Sequence, residues 1–250
     1  MKKSLPQVFG RVGSKTRLKQ KLYDEFPANF KTYVEGFVGG GSIFMGYKFE
    51  PAQKIIINDI DKDLMEQYEF IKSNPNIENL KEYSCTDIPT LNIWKDRPCK
   101  NEWDKFVSFV LKSNNTFGGK GWGKVYKTSD PYNKIKRIPL QAKKMKEVNI
   151  NNECIFSLID KFNSEEVFLY LDPPYENSKG LYRNFTFDFE RLSKKLKEFK
   201  GKFLLSINAS PIIKEIFDGF KFSTIIAGGS GNLEGSIGAK KREEYLIKNY

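Results

Sequence analysis

The segment from Thr32 to Asp59 restricts the fold more than any other part of the chain. Thr32-Tyr33-Val34-Glu35-Gly36-Phe37-Val38 reads as a strand, Gly39-Gly40-Gly41-Ser42 as a turn, and the residues through Phe44 and Tyr47 as a short helix. Lys54-Ile55-Ile56-Ile57-Asn58 is apolar without alternation, as expected of a strand buried on both faces, and it ends at Asp59. A helix with Leu64, Tyr68 and Ile71 on one face follows, and an earlier one starts at Ser14, carries Leu18, Leu22 and Phe26, and stops at Pro27. Strand, glycine turn, helix, strand and helix in that order open a parallel, doubly wound sheet.

The alternation lapses between about residues 76 and 150, apart from a helix with Trp103, Phe106, Val107, Val110 and Leu111. It resumes with a strand at Glu166-Val167-Phe168-Leu169-Tyr170-Leu171 and a helix with Phe189, Leu192, Leu196 and Phe199. A strand from Phe203 to Ile207, a helix begun by Ser210-Pro211 and strands near Phe222–Ile226 and Tyr245–Ile247 complete the pattern. The expected architecture is therefore α/β: a Rossmann-like, doubly wound, mostly parallel sheet over residues 1–75 and 150–250, with residues 76–149 as an inserted, largely helical subdomain.

Charge sets that insertion apart. From Lys112 to Lys146 there are nine Lys and one Arg against one Asp, a net +9, while the whole chain of 250 residues carries +11. Cations at this density bind phosphates by releasing counterions, which makes Lys120, Lys124, Lys127, Lys134, Lys136 and Arg137 candidate contacts to nucleic acid. Trp122, Tyr126 and Tyr132 are interleaved with them and are suited to stacking on bases.

Composition removes several chemistries. The chain has no histidine, so Ser-His-Asp and Cys-His catalysis, His-ligated zinc and imidazole proton shuttles are excluded. Its three cysteines, Cys85, Cys99 and Cys154, lack C-x-x-C spacing, so neither a disulfide framework nor a zinc knuckle is indicated and no metal is expected. No apolar stretch of about 20 residues is present, so no membrane association is expected, and an intracellular, cytoplasmic setting fits the cysteine usage.

Two motifs carry chemistry. Asp172-Pro173-Pro174-Tyr175 directly follows a buried strand, and the carboxyl end of a parallel strand is where doubly wound folds place ligands. The glycine turn is the other: Asp59 lies twenty residues after Gly39, the spacing at which an acidic side chain meets ribose hydroxyls. The dinucleotide fingerprint G-x-G-x-x-G nevertheless fails at Phe44, and no Lys-Ser or Lys-Thr completes a P-loop. A nucleoside cofactor without a pyrophosphate fits these residues better. The plain alternatives are an N-cap role for Asp59 and a solvated first-turn position for Lys15.

Together these segments resemble the Dam-type, adenine-specific DNA methyltransferases. The matching stretches are Gly13-Ser14-Lys15, the loop from Glu35 to Phe44, Asn58-Asp59-Ile60, the run from Asn115 through Phe117 to Gly123, the Asp172–Tyr175 tetrad and Glu244–Asn249, in the family's order. The resemblance implies a class I methyltransferase fold and S-adenosylmethionine as cofactor. It implies cofactor binding by Lys15, Phe37, Gly39, Gly40, Gly41, Ser42, Asp59 and Asp172, catalysis by Asp172, Pro173, Pro174 and Tyr175, and DNA contacts at Asn115 and Phe117. Two positions depart from the family: Gly36 replaces its usual proline, and Arg11 stands where relatives often carry an aromatic residue.

The implied reaction suits a site without histidine. The lone pair of an adenine amine is delocalised into the ring, and two acceptors, the Asp172 carboxylate and the Pro173 carbonyl, would localise it and stabilise the charge that develops on attack. Tyr175 would stack on the extruded base, and the two prolines would hold the loop rigid. The expected function is methyl transfer to adenine in duplex or single-stranded DNA by a monomer, within or outside a restriction-modification system with a partner nuclease. The competing readings are a methyltransferase for RNA or the cytosine amine, and an idle nucleic-acid-binding subunit of a methylation or restriction assembly.

Overall fold

The structure, a computed structural model, describes residues 5–11, 13–116, 123–174, 187–227 and 242–250; Phe117, Lys120, Trp122 and Tyr175 lie outside the described residues. In chain order these residues form α1 (Lys19–Asp24), β1 (Thr32–Glu35), α2 (Ser42–Gly46), β2 (Lys54–Asn58), α3 (Lys62–Lys72), α4 (Ile88–Asp96) and α5 (Glu102–Val110). There follow α6 (Tyr132–Ile135), α7 (Ile138–Met145), β3 (Val148–Asn151), α8 (Ile155–Lys161) and β4 (Val167–Leu171). The last elements are α9 (Phe189–Lys197), β5 (Lys202–Asn208), α10 (Pro211–Ile216), β6 (Lys221–Ala227) and β7 (Arg242–Lys248).

The chain divides into two compact units. One comprises Arg17–Phe37, Phe49–Asn58 and Glu153–Tyr250, and its strands run in the order β2-β1-β4-β5-β7-β6. β2, β1, β4 and β5 are parallel, and β7 is antiparallel to both β5 and β6. β1 pairs with β2 on one side and with β4 on the other, Glu35 lying opposite both Ile57 and Tyr170. The strand order therefore reverses between β1 and β4, which is the switch point of a doubly wound sheet.

Side-chain alternation explains how this sheet is covered. Val34, Ile56, Leu169, Leu171, Phe203, Leu205 and Ile247 form one core with Leu158 and Ile159 of α8, Leu192 and Leu196 of α9, and Ile213 of α10. The alternate residues Tyr33 and Phe168 meet a ring layer in which Phe26 lies 4.6 Å and Phe30 5.2 Å from Phe168. α9 starts where the Asp188 carboxylate accepts the Arg191 N–H at 2.8 Å.

The other unit, Met1–Thr16, Val38–Lys48 and Asp59–Asn152, holds α2 through α7 and β3. Asp61 caps α3 by accepting the Leu64 N–H, and Leu64, Met65, Tyr68 and Ile71 turn inward as their spacing predicts. Phe9 is fully buried among Tyr68, Phe106 and Phe109, its ring 5.5, 6.1 and 4.9 Å from theirs. After α5 the helix widens into a π-turn over Leu111–Asn115. Among the described residues, no helix is long and apolar enough to cross a membrane.

The strands were legible to within a few residues, except β3. β1 ends at Glu35, earlier than the apolar run to Val38 suggests, and β3, α4, α6, α7 and α8 carry no strong sequence signal. α6 has four residues, and only Val148 of β3 is fully buried. Such short elements have too few inward positions to show a period.

Candidate active site

The glycine turn is held from three directions within its own unit. The Gly39 N–H donates to Asp59 Oδ2 at 3.0 Å, and the Gly39 carbonyl accepts from the Tyr68 hydroxyl at 2.9 Å. The Gly40 carbonyl accepts the N–H groups of Val8 at 2.9 Å and Phe9 at 3.3 Å. Two of the glycines are required by geometry. A Cβ on Gly40 would sit 2.2 Å from the Phe9 carbonyl oxygen, and Gly41 heads α2 at φ 72°, a left-handed conformation costly for other residues.

Asp59 is not a helix cap, because Asp61 has that role. Its Oδ1 accepts the Asp61 N–H at 3.1 Å, so each carboxylate oxygen is fixed by one backbone donor and keeps a lone pair for a hydroxyl. Burial raises its pKa above the ordinary aspartate value, while the Asp61 and Gly39 N–H groups and the charge of Arg11 pull the other way. Beside it, Ile60 is 65% exposed, a large apolar side chain that lies in one of the matching stretches but has no role in the sequence-based scheme. Lys15 is 2% exposed, which rules out a solvated first-turn lysine. Arg11, in place of an aromatic residue, forms an ion pair with Asp61 and lies 5.6 Å from the Phe109 ring centre.

The tetrad belongs to the sheet unit. β4 is buried along its whole length and leads directly into Asp172-Pro173-Pro174, with Pro173 buried and Asp172 and Pro174 partly so. The Gly36 N–H donates to the Tyr170 carbonyl at 3.0 Å, which joins the carboxyl ends of β1 and β4. A proline at position 36 could not make that bond, so glycine here ties the strand ends together rather than loosening the turn. Asn58, which has no role in the sequence-based scheme, is 1% exposed and acts as a staple at the end of β2. Its amide donates to the Gly36 and Glu153 carbonyls, both at 3.1 Å, and its Oδ1 accepts the Glu153 N–H at 2.9 Å. Phe37 packs edge-on against Phe187 with ring centres 5.6 Å apart.

The candidate nucleic-acid residues separate into surface and interior. Lys124, Lys127, Lys136 and Arg137 are exposed, and Tyr126 is half exposed with the Lys127 ammonium 5.3 Å from its ring centre. Asn115 is fully buried instead, its amide donating to the Lys127 carbonyl at 2.8 Å and the Ser129 carbonyl at 2.9 Å. It pins the 127–129 loop and presents no surface to a DNA backbone. Lys134 also turns inward, donating to the Val8 carbonyl at 2.8 Å.

The glycine turn carries the Asp59 carboxylate, fixed by the Gly39 and Asp61 N–H groups, and lacks the loop-borne Lys-Ser or Lys-Thr that holds a pyrophosphate. It fits a nucleoside with free ribose hydroxyls. Among the described residues, no three acidic or cysteine side chains group to hold a metal ion.

The family model for D12 class N6 adenine-specific DNA methyltransferases matches residues 12–91 and 109–227. The type II methyltransferase M.MjaIII of Methanocaldococcus jannaschii is 26% identical over 96% of this chain and 97% of its own length. The type II methyltransferase M1.LlaDCHI of Lactococcus lactis is 26% identical over 96% of this chain and 93% of its own. The DNA adenine methylase of Haemophilus influenzae is 26% identical over 86% and 83%. The family match covers both the glycine turn with Asp59 and the tetrad strand, and by it the chain belongs to the D12 class of N6 adenine-specific DNA methyltransferases.

Proposed function

We propose that the chain transfers the methyl group of S-adenosylmethionine to the exocyclic amine of an adenine taken out of the DNA stack. The observation that carries this reading is the switch point. β1, which feeds the glycine turn, and β4, which feeds Asp172-Pro173-Pro174, are parallel neighbours joined at their carboxyl ends, where doubly wound folds bind ligands.

Lys15, Phe37, Gly39, Gly40, Gly41, Ser42 and Asp59 are the residues we assign to the cofactor. Asp59 accepts the ribose hydroxyls, and Ile60 offers an apolar platform for the adenine ring. When bound, the cofactor supplies a methyl group already activated on a sulfonium, so the protein needs no metal and no strong base. Asp172 and the Pro173 carbonyl accept the N–H groups of the target amine, localise its lone pair and stabilise the positive charge that develops there. Tyr175 stacks on the extruded base. Residues 76–149 act as the target-recognition region, with Lys124, Tyr126, Lys127, Lys136 and Arg137 on the phosphate backbone. The names of the relatives support a place in restriction-modification, with the protein working inside the cell.

The test is transfer of a labelled methyl group to duplex DNA, single-stranded DNA and RNA in parallel, with the product base identified after digestion. N6-methyladenine in DNA is expected, and its loss in Asp172→Ala with an unchanged circular-dichroism spectrum. Label in RNA or cytosine alone, or wild-type turnover by the variant, would overturn the assignment.

A further inference from the structure

The segment before Lys15 holds the cofactor turn by two routes, both within one compact unit. Val8 and Phe9 donate their N–H groups to the Gly40 carbonyl, and Arg11 forms an ion pair with Asp61 Oδ2. Asp61 is engaged at two further atoms. Its Oδ1 accepts the Leu64 N–H at 3.1 Å and so caps α3, and its own N–H donates to Asp59 Oδ1 at 3.1 Å. One residue therefore separates the guanidinium from the carboxylate assigned to the ribose. Arg11 is itself held at both ends. A Cβ on Gly10 would lie 2.7 Å from the Ser113 carbonyl oxygen, so the chain before Arg11 packs closely on the turn after α5, and the guanidinium lies 5.6 Å from the Phe109 ring centre.

Folding stability does not account for an arginine here. The side chains of Arg11 and Asp61 are 27% and 35% exposed, and pairs this open to water stabilise little. A cation beside the N-terminus of α3 is opposed by the helix dipole, and Asp61 caps the helix without it. Arg11 Nε is buried with no hydrogen-bond partner, and the pair borders a cavity of about 400 Å³, so the side chain neither satisfies all its donors nor fills a core. What the pair does supply is direction and charge. Bonded at both oxygens, the Asp61 carboxylate is fixed, and with it the peptide whose N–H holds Asp59. Burial works against the ionised form of Asp59, and the Arg11 charge works for it. An aromatic ring at position 11 could supply neither.

We propose that Arg11 is a positioning residue for the cofactor: through its ion pair with Asp61 it sets Asp59 in the orientation that receives the ribose hydroxyls. Asp59 touches the ligand, and Arg11 acts only through Asp61 and through its permanent charge. The inference rests on the methyltransferase reading above and adds the residue pair that holds its ribose acceptor. It also gives the departure at position 11 a use within the site.

The test compares the affinities of S-adenosylhomocysteine and its 2′,3′-dideoxy analogue by isothermal titration, for wild type, Asp59→Asn, Arg11→Met, Arg11→Lys and Asp61→Asn. Asparagine at position 61 keeps a cap on α3 and loses the ion pair. Wild type is expected to prefer the hydroxylated ligand about tenfold or more, the value of a hydrogen bond to a charged group. In Arg11→Met and Asp61→Asn the preference falls toward that of Asp59→Asn, while Arg11→Lys keeps most of it. An arginine that served only the fold would weaken both ligands together and leave the preference unchanged. A wild-type preference in folded Arg11→Met or Asp61→Asn overturns the proposal. Should one of these variants not fold, the other decides, and a pair this exposed predicts that both fold. Wild type that binds both ligands equally overturns the ribose role of Asp59 and the proposal with it. Wild type that binds neither ligand and transfers no methyl group overturns the methyltransferase reading itself, a separate outcome.

Discussion

Replacing Gly40 with alanine should separate cofactor binding from folding. The added Cβ meets the Phe9 carbonyl oxygen at 2.2 Å and its carbon at 3.3 Å, and both are backbone atoms that no rotamer change can move. Relief of about 1 Å is needed to reach ordinary contact. That shift draws the turn away from the Val8 and Phe9 N–H groups, which hold the Gly40 carbonyl at 2.9 and 3.3 Å. Overpacking costs about 1–3 kcal/mol, and each lost hydrogen bond about 0.5–1.5. Opening the bonds relieves part of the clash, so the two do not simply add. The net is about 2–4 kcal/mol, or roughly 30- to 1000-fold if the displaced turn must be restored to bind the cofactor. Isothermal titration with S-adenosylhomocysteine reads the affinity and urea unfolding the stability. Gly219→Ala is the control, because Gly219 lies at φ 93° with open space around it and takes part in neither candidate motif. It should lose about 1–2 kcal/mol of stability and no cofactor affinity. A folded Gly40→Ala protein that binds within threefold of wild type would falsify the brace.

Two further outcomes follow from the electrostatics. Burial holds the Asp59 carboxyl above the ordinary aspartate range, and its ionised form is the better acceptor for two hydroxyls. Cofactor affinity should therefore rise as pH increases through a window above that of a free aspartate, and fall on acidification; Asp59→Asn should be weaker at neutral pH and nearly flat in a titration from about pH 4 to 7. In the unliganded protein the sign is opposite, since a raised carboxylate pKa means that the native state binds more protons across that window and loses stability as pH rises. For DNA, removing any one of Lys124, Lys127, Lys136 or Arg137, all exposed, should reduce the slope of log affinity against log salt by about 0.9, whereas Asn115→Ala should leave the slope unchanged and lower the melting temperature.

The parts of this fold legible in the sequence are those whose physics is local. An unbroken β-branched run such as Ile55-Ile56-Ile57 favours a buried strand, and a string of glycines after a strand marks a turn whatever surrounds it. The position of the tetrad at the end of a buried strand followed from the same local signals. Which of two nearby carboxylates caps α3 did not, because Asp59 and Asp61 differ only in where the chain turns between them. Nor did the roles of Tyr68 and Asn58, one read as a core ring and the other as the end of a strand, although each anchors a backbone group of the loop after β1.

Counting cations treats every lysine of a basic run as surface, and that assumption fails to separate Lys136 from Lys134. The two are near neighbours in sequence with the same formal charge, yet Lys134, only partly exposed, bends onto a carbonyl 126 residues away. No pattern in a single sequence encodes that pairing, since a backbone carbonyl has no residue identity and any side chain could stand at Val8. The cue lies in cost: an ammonium partly withdrawn from water onto a neutral carbonyl recovers less than one on a carboxylate. Asn115 obeys the same logic in neutral form, spending both amide hydrogens on the 127–129 loop that carries the exposed charges. The basic stretch thus has an outer set, Lys124, Lys127, Lys136 and Arg137, exposed to meet phosphates, and an inner lysine, Lys134, bonded to the carbonyl of Val8, whose N–H holds the Gly40 carbonyl. A substitution that preserves net charge while exchanging an inner lysine for an outer one should therefore leave nonspecific DNA affinity near wild type and still lower methyl transfer.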